Sequence, residues 1–242
     1  AAAGSAGSRN GPATDAQACR AGTSMSPLAR SVAPPRVARR CGRSPPNMYG
    51  LVNLAVQELV TRTHGEAAWL RIKRRAGVDT PSFLRMTQYP DEVTYALVGA
   101  ASAELGAAAD ELLRGFGRFW IEFAMQEGYR ELFLISGPDL RTFLGNLDNL
   151  HARLGMTFVG MDAPSFAVTD QGPDELLVHY YSSRAGLTPF VQGLLEGLGP
   201  VFGQRVEATV QATRADGRDH DTFHVRCTPS PERAKGVALP VN

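Results

Sequence analysis

The hydrophobic period of this chain changes once along its length, and that change limits the folds open to it. From Met48 to about residue 157, apolar residues recur every three or four positions, as on one face of a helix. From Ser165 to Cys227 they alternate, as on one face of a strand, with one helical stretch between. Helices first and strands afterwards predict an α+β architecture with an antiparallel sheet, not a doubly wound parallel one.

In MYGLVNLAVQELV, Val52, Ala55, Val56, Leu59 and Val60 form a helical stripe, and EAAWLRIKRRAG reads as a second helix after Gly65. Thr80–Pro81 reads as a helix start with proline in the first turn. DEVTYALVGAASAELG follows Pro90 with acids in its first turn. AAADELLRGFGRFWIEFAMQ is a long, aromatic-rich helix, and GPDLRTFLGNLDNLHARLG carries a histidine. SFAVTD (165–170) and ELLVHYYSSR (175–184) read as strands around a QGPD turn, and TPFVQGLLEGLGPVFG as a helix. VEATVQATRAD and HDTFHVRC are the last two strands, joined at Gly217. The second half therefore has the order β-β-α-β-β, and no internal repeat is visible.

Residues 1–47 are a different polymer. They hold seven arginines and one acid, a net +6, and leave −5 for the rest, since the whole chain has 25 basic and 24 acidic residues. They are rich in Ala, Gly, Ser and Pro and have no aromatic residue, so they are expected to stay disordered. The composition is that of a transit peptide, or of upstream sequence read in frame before Met48, the preferred reading. A nucleic-acid-binding arm would want lysines and interleaved aromatics, which are missing. The expected division is 1–47 extension, 48–229 domain and 230–242 tail. No apolar run approaches about eighteen residues, so no membrane span is expected. Cys19, Cys41 and Cys227 make neither a disulfide framework nor a cysteine-only zinc site, which suits a cytoplasmic protein.

Leu144, Leu147, His151 and Leu154 fall on one helical face. A histidine there is either a core residue bonded to a carbonyl or an axial ligand to a heme iron. In ELLVHYYSSR, strand geometry puts Tyr180, Ser182 and Arg184 on one face, about 6–7 Å apart in succession. All three donate hydrogen bonds, which suits a ligand with two carboxylates on one edge, such as heme with its propionates. The bland alternative is an exposed polar strand face. His179 points the other way and reads as a surface or sheet-packing residue. Asn146, Asp148 and Asn149 read as the solvated side of the histidine helix. His220, His224 and Cys227 have ligand types for zinc, but a strand turns Cys227 away from the two histidines, and no fourth ligand is evident.

These residues, Tyr180-x-Ser182-x-Arg184 and His151 in NLDNLH, together with MYGLVN at 48, PDEVTY at 90–95 and APSF at 163–166, resemble the heme-nitric oxide/oxygen binding (H-NOX) family, the sensory domain type also found in soluble guanylate cyclase. The resemblance runs from Met48 to about Cys227. It implies heme b lying between a helical and a sheet subdomain. His151 would be the proximal iron ligand. Tyr180, Ser182 and Arg184 would hold the propionates, and Pro164 would press on the porphyrin. Val52, Val56, Trp120 and Phe190 would line the distal side. Members that hold dioxygen stably carry a tyrosine where Phe190 stands here. Losing a hydrogen bond to a charged partner is worth about 1.5–3 kcal/mol, or one to two powers of ten in affinity.

The expectation is a nitric oxide sensor that also binds carbon monoxide, signals through release of the His151 bond, and has no catalytic module or nucleic-acid partner. In bacterial relatives the partner would be a histidine kinase or a diguanylate cyclase. A heme enzyme acting on peroxide or nitric oxide is the alternative, and lacks a distal acid or base. A dioxygen-binding H-NOX sensor is another, and a non-heme α+β interaction domain with a buried His151 is the third.

Overall fold

A computed structural model describes residues 47–230. The basic extension up to residue 46, with Cys19 and Cys41, and the tail from residue 231 lie outside the described residues, whereas Asn47, expected to belong to the extension, begins the first strand.

The first half is helical. Strand β1 (Asn47–Tyr49) leads into α1 (Gly50–His64), and α2 (Glu66–Arg75) follows after one residue. Strand β2 (Gln88–Pro90) pairs antiparallel with β1 and runs into α3 (Asp91–Leu105). Helix α4 (Ala109–Ala124) passes through a π turn (Met125–Tyr129) into α5 (Arg130–Ser136). Two short helices close this half, α6 (Leu140–Gly145) and α7 (Leu147–Thr157). The second half is β3 (Ser165–Gly172), β4 (Glu175–Tyr181), α8 (Thr188–Val201), β5 (Gln204–Ala212) and β6 (Asp221–Pro229). Its four strands form one antiparallel sheet in the order β3-β4-β6-β5. The fold is thus the expected α+β arrangement.

Three local readings need correction. No helix starts at Thr80–Pro81: residues 78–87 are irregular and are anchored by the buried ring of Phe83. Their carbonyls are committed elsewhere. Helix α1 has no side-chain cap, and its first N–H groups, of Gly50 and Leu51, donate to Thr87 (2.8 Å) and Arg85 (3.2 Å). Second, the histidine helix does not include Leu144. Asn146 breaks the path at φ −102°, ψ 6°, and its amide donates to the Ser136 carbonyl (2.8 Å). Leu144 is buried at the end of α6 instead. Third, β4 ends at Tyr181, so Ser182 and Arg184 lie in the connection to α8, not on the strand.

Two apolar cores result. One packs the inner face of the sheet, including Val178, Phe223 and Val225, against α8 and α5–α7. The other packs α1–α4 around Ala55, Ile72 and Leu97. Trp120, Tyr129 and Leu154 border both. Helices α4 and α8 approach so closely that a Cβ on Gly117 would sit 2.1 Å from the Phe190 carbonyl oxygen, and one on Gly193 2.0 Å from that of Arg114. Arg118 pairs with Glu196 across this crossing (2.8 Å), and Arg114 grips the same carboxylate through its Nε (3.0 Å).

Candidate functional site

A cavity of about 310 Å³ is lined by residues of both cores. His151, Pro164, Tyr180, Ser182 and Arg184 all line it, as do Val52, Trp120 and Phe190. Val56 does not. It is buried in the helical core, one turn further along α1 than Val52.

His151 Nδ1 lies 3.0 Å from the Pro164 carbonyl oxygen. A carbonyl only accepts, so Nδ1 carries the proton and Nε2 keeps a lone pair. Burial pushes the imidazole pKa down, more strongly than the Pro164 bond and the nearby Asp148 pull it up. A neutral ring with one nitrogen fixed by an oxygen acceptor is the form in which histidine binds a metal. Asp148 builds this arrangement: its carboxylate accepts from Ser165 Oγ (2.6 Å) and the Phe166 N–H (2.8 Å), tying α7 to the start of β3. It is therefore more than part of a solvated helix face. The Phe166 ring lies 5.9 Å from His151 and 5.4 Å from Tyr180, so the three rings run in series along the wall.

Tyr180 is the last inward-facing residue of β4, and burial raises its phenol pKa, so it stays protonated and able to donate. Ser182 Oγ accepts from the Arg184 N–H (3.1 Å), a side-chain turn that replaces strand geometry at this edge. The Arg184 guanidinium is deeply engaged. Nε donates to Asp91 Oδ2 (2.7 Å), Nη1 to the Asp162 carbonyl (2.6 Å), and Nη2 to the Asn47 carbonyl (3.0 Å) and more weakly to Asp91 Oδ1 (3.4 Å). One Nη1 proton is left over. The pair is buried, with the Arg184 side chain 10% exposed and Asp91 4%. Arg214 holds the same connection from behind, donating to the carbonyls of Ser182 (2.6 Å) and Arg184.

Sequence reading missed Asp91, Asp162 and Arg214. Asp91 was visible only as an acid in the first turn of a helix, and nothing local distinguishes it from Glu92. Its role comes from a partner 93 positions away.

These residues fit heme. The wall is apolar, the donors of Tyr180, Ser182 and Arg184 gather at one edge, and His151 offers a neutral nitrogen inside. The fit has one feature the linear pattern did not imply: the positive charge of Arg184 is already matched by Asp91.

Among the described residues, no group of three histidine, cysteine or acidic side chains is placed to hold a metal ion. Cys227 is buried on the inner face of β6 and His224 bonds Glu175 on the other face, so the zinc alternative at 220–227 does not assemble.

The haem-NO-binding family matches residues 49–210. Soluble guanylate cyclase gcy-34 of Caenorhabditis elegans is 30% identical over 182 residues, which is 74% of this chain and 26% of that protein. Guanylate cyclase soluble subunit beta-2 of Rattus norvegicus is 36% identical over 93 residues, 38% of this chain and 14% of that protein. The chain spans about a quarter of the length of the curated nematode relatives it matches. Among solved structures, the H-NOX protein of S. oneidensis in the Fe(II)NO state has a TM-score of 0.68 at 15% identity, over 75% of this chain and 99% of that one. The Fe(II) unliganded H-NOX protein of K. algicida has a TM-score of 0.67 at 18% identity, over 80% and 100%.

Proposed function

The chain belongs to the haem-NO-binding (H-NOX) family of heme-based gas sensors, and from that premise we propose that it senses nitric oxide through a ferrous heme b ligated by His151. The matched domain is a sensory one, not a catalytic one. Heme, held by these residues, would supply an iron able to bind diatomic gases.

The observation that carries the reading is the His151–Pro164 bond, which fixes the tautomer and leaves Nε2 as a lone pair in the cavity the ring lines. Tyr180 and Ser182 would donate to the propionates, and Arg184 would add its remaining proton while its pairing with Asp91 holds the edge in place. Pro164 contributes to the wall against the porphyrin and, through its carbonyl, to the ring's orientation. On the gas side, Val52 and Phe190 offer no donor. Dioxygen would gain most from a donor, which these two side chains lack, so they would favour nitric oxide and carbon monoxide over dioxygen.

Release of the His151 imidazole would free α7 from the cofactor while Asp148 still ties it to β3, so the helix would pivot instead of detaching. The output would be a partner domain or protein. A guanylate cyclase output, as in the named relatives, stands beside a histidine kinase or diguanylate cyclase. No described helix is long and apolar enough to cross a membrane, and a cytoplasmic setting suits this role.

The test is the absorption spectrum of the ferrous protein under nitrogen, in air and with nitric oxide. A spectrum unchanged by air and converted to a five-coordinate nitrosyl form is expected. Failure to take up hemin removes the reading altogether. A stable oxy form would instead favour the second reading, a dioxygen sensor. That reading draws on Trp120, which lines the cavity and whose indole N–H has no acceptor among the described residues.

A further inference from the structure

Behind the cavity, on the outer face of the sheet, two imidazoles meet. His179 Nδ1 lies 3.0 Å from His220 Nε2. The other nitrogen of each ring is held by an oxygen: His220 Nδ1 by Asp219 Oδ1 (2.5 Å) and His179 Nε2 by Thr169 Oγ1 (3.1 Å). The carboxylate only accepts, so His220 carries its proton on Nδ1 and presents a lone pair at Nε2. His179 then donates from Nδ1 to that lone pair and accepts from the Thr169 hydroxyl. One proton sits between the rings. The Tyr181 ring lies 4.5 Å from His220, and Thr222 Oγ1 is 3.4 Å from His179 Nδ1.

We propose that His179 and His220 chelate a divalent transition-metal ion, Cu²⁺ ahead of Ni²⁺ or Zn²⁺, with water completing its coordination. The site is separate from the cavity and does not depend on heme. Three observations carry it. The two nitrogens come from different strand ends yet face each other. At about 2.0 Å from each, an ion would see them about 95° apart, the cis angle of a tetragonal Cu²⁺ or Ni²⁺ site; a tetrahedral ion would want about 3.3 Å between them. Asp219 supplies the carboxylate–histidine pairing that orients a metal-bound imidazole and raises its basicity. The proton balance also closes. The bridging proton leaves His179 Nδ1 and is replaced at Nε2 by one from solvent, and Thr169 Oγ1, a donor before, becomes the acceptor. The His220 side chain is 21% exposed and Asp219 72%, so water reaches the open positions.

The test is Cu²⁺ titration of the full chain with its thiols blocked, followed by electron paramagnetic resonance. One tightly held ion with hyperfine splitting from two imidazole nitrogens is expected. His179→Gln and His220→Gln should each weaken uptake at least tenfold, and Asp219→Asn about tenfold through the ring it orients. His64→Gln and His224→Gln should leave it unchanged. Thermal melts establish that each variant folds; should His179→Gln fail, His220→Gln, which lies just before β6, decides. Undiminished uptake in the His179→Gln/His220→Gln pair, or no uptake by the wild-type chain, reduces the two imidazoles to a hydrogen-bonded pair and overturns the site.

Discussion

At the scale of one residue, the proposed ligation turns on which His151 nitrogen carries the proton. The Pro164 carbonyl decides it, and burial keeps the ring neutral. His151→Gly should abolish heme uptake, and added imidazole should restore it; hemin titration followed by absorbance reads both. The lowered pKa has a sign. The unfolded chain takes up the His151 proton near pH 6.5, whereas the folded chain takes it up only at lower pH. Between those values the unfolded state binds more protons, so stability falls as the pH drops below about 6.5 and the loss is complete below the folded pKa. Urea midpoints of the heme-free protein at pH 7.5 and 5.5 should therefore differ more for the wild type than for His151→Gln. Equal differences would show that burial leaves this proton indifferent to folding. His151 itself was legible in the sequence because an imidazole in an apolar stripe stands out. The Pro164 carbonyl was not, since a backbone acceptor has no residue type to announce it.

At the scale of elements, the cavity exists because short ties hold separate segments apart around it. The Asp91–Arg184 pair joins the start of α3 to the turn after β4, and the same guanidinium reaches the carbonyls of Asn47 and Asp162. Asp91→Asn leaves a buried guanidinium without its counter-charge and should cost about 3–5 kcal/mol in chemical unfolding. Asp91→Asn combined with Arg184→Met should lose less than the sum of the two single variants. Gly117→Ala tests the α4–α8 crossing: its methyl would meet the Phe190 carbonyl, so a loss of about 1–3 kcal/mol or more is expected from the same measurement. The β-β-α-β-β half was legible because period-2 alternation and turn residues mark each strand. The paired strands β1 and β2 were not, because three residues carry no period. Nor was the π turn, where Gly128 at φ 92° bends a path whose hydrophobic stripe continues. Ser182 and Arg184 line the same cavity as Tyr180, though not through strand geometry. Alternation was extrapolated past Tyr181, whereas a serine side-chain turn and Arg214 place both residues.

At the scale of the whole molecule, two apolar cores meet at a cavity bordered by Trp120, Tyr129 and Leu154, and a bound cofactor would belong to both. A group that binds only the folded state stabilises it by mass action, so heme should raise the melting temperature of the whole domain. A gas signal must be more selective. The crossing of α4 and α8 is locked by glycines in backbone contact and by the Glu196 pairs, so it should not move. Helix α7 is held less firmly. Of its residues only Leu150 is fully buried, and Met156, like Val159 just past its end, stands in solvent. With its imidazole engaged, α7 would have three anchors besides the packing of its leucines: the cofactor, Pro164 and the Asp148 bonds to β3. With it released, two remain. Amide exchange should therefore quicken across residues 147–157 when nitric oxide binds, and stay slow with carbon monoxide, which leaves the histidine bond in place. Exchange in α4 and α8 should be the same with either gas. Equal protection of α7 under both gases would mean that the histidine bond does not carry the signal, even in a protein that binds nitric oxide tightly.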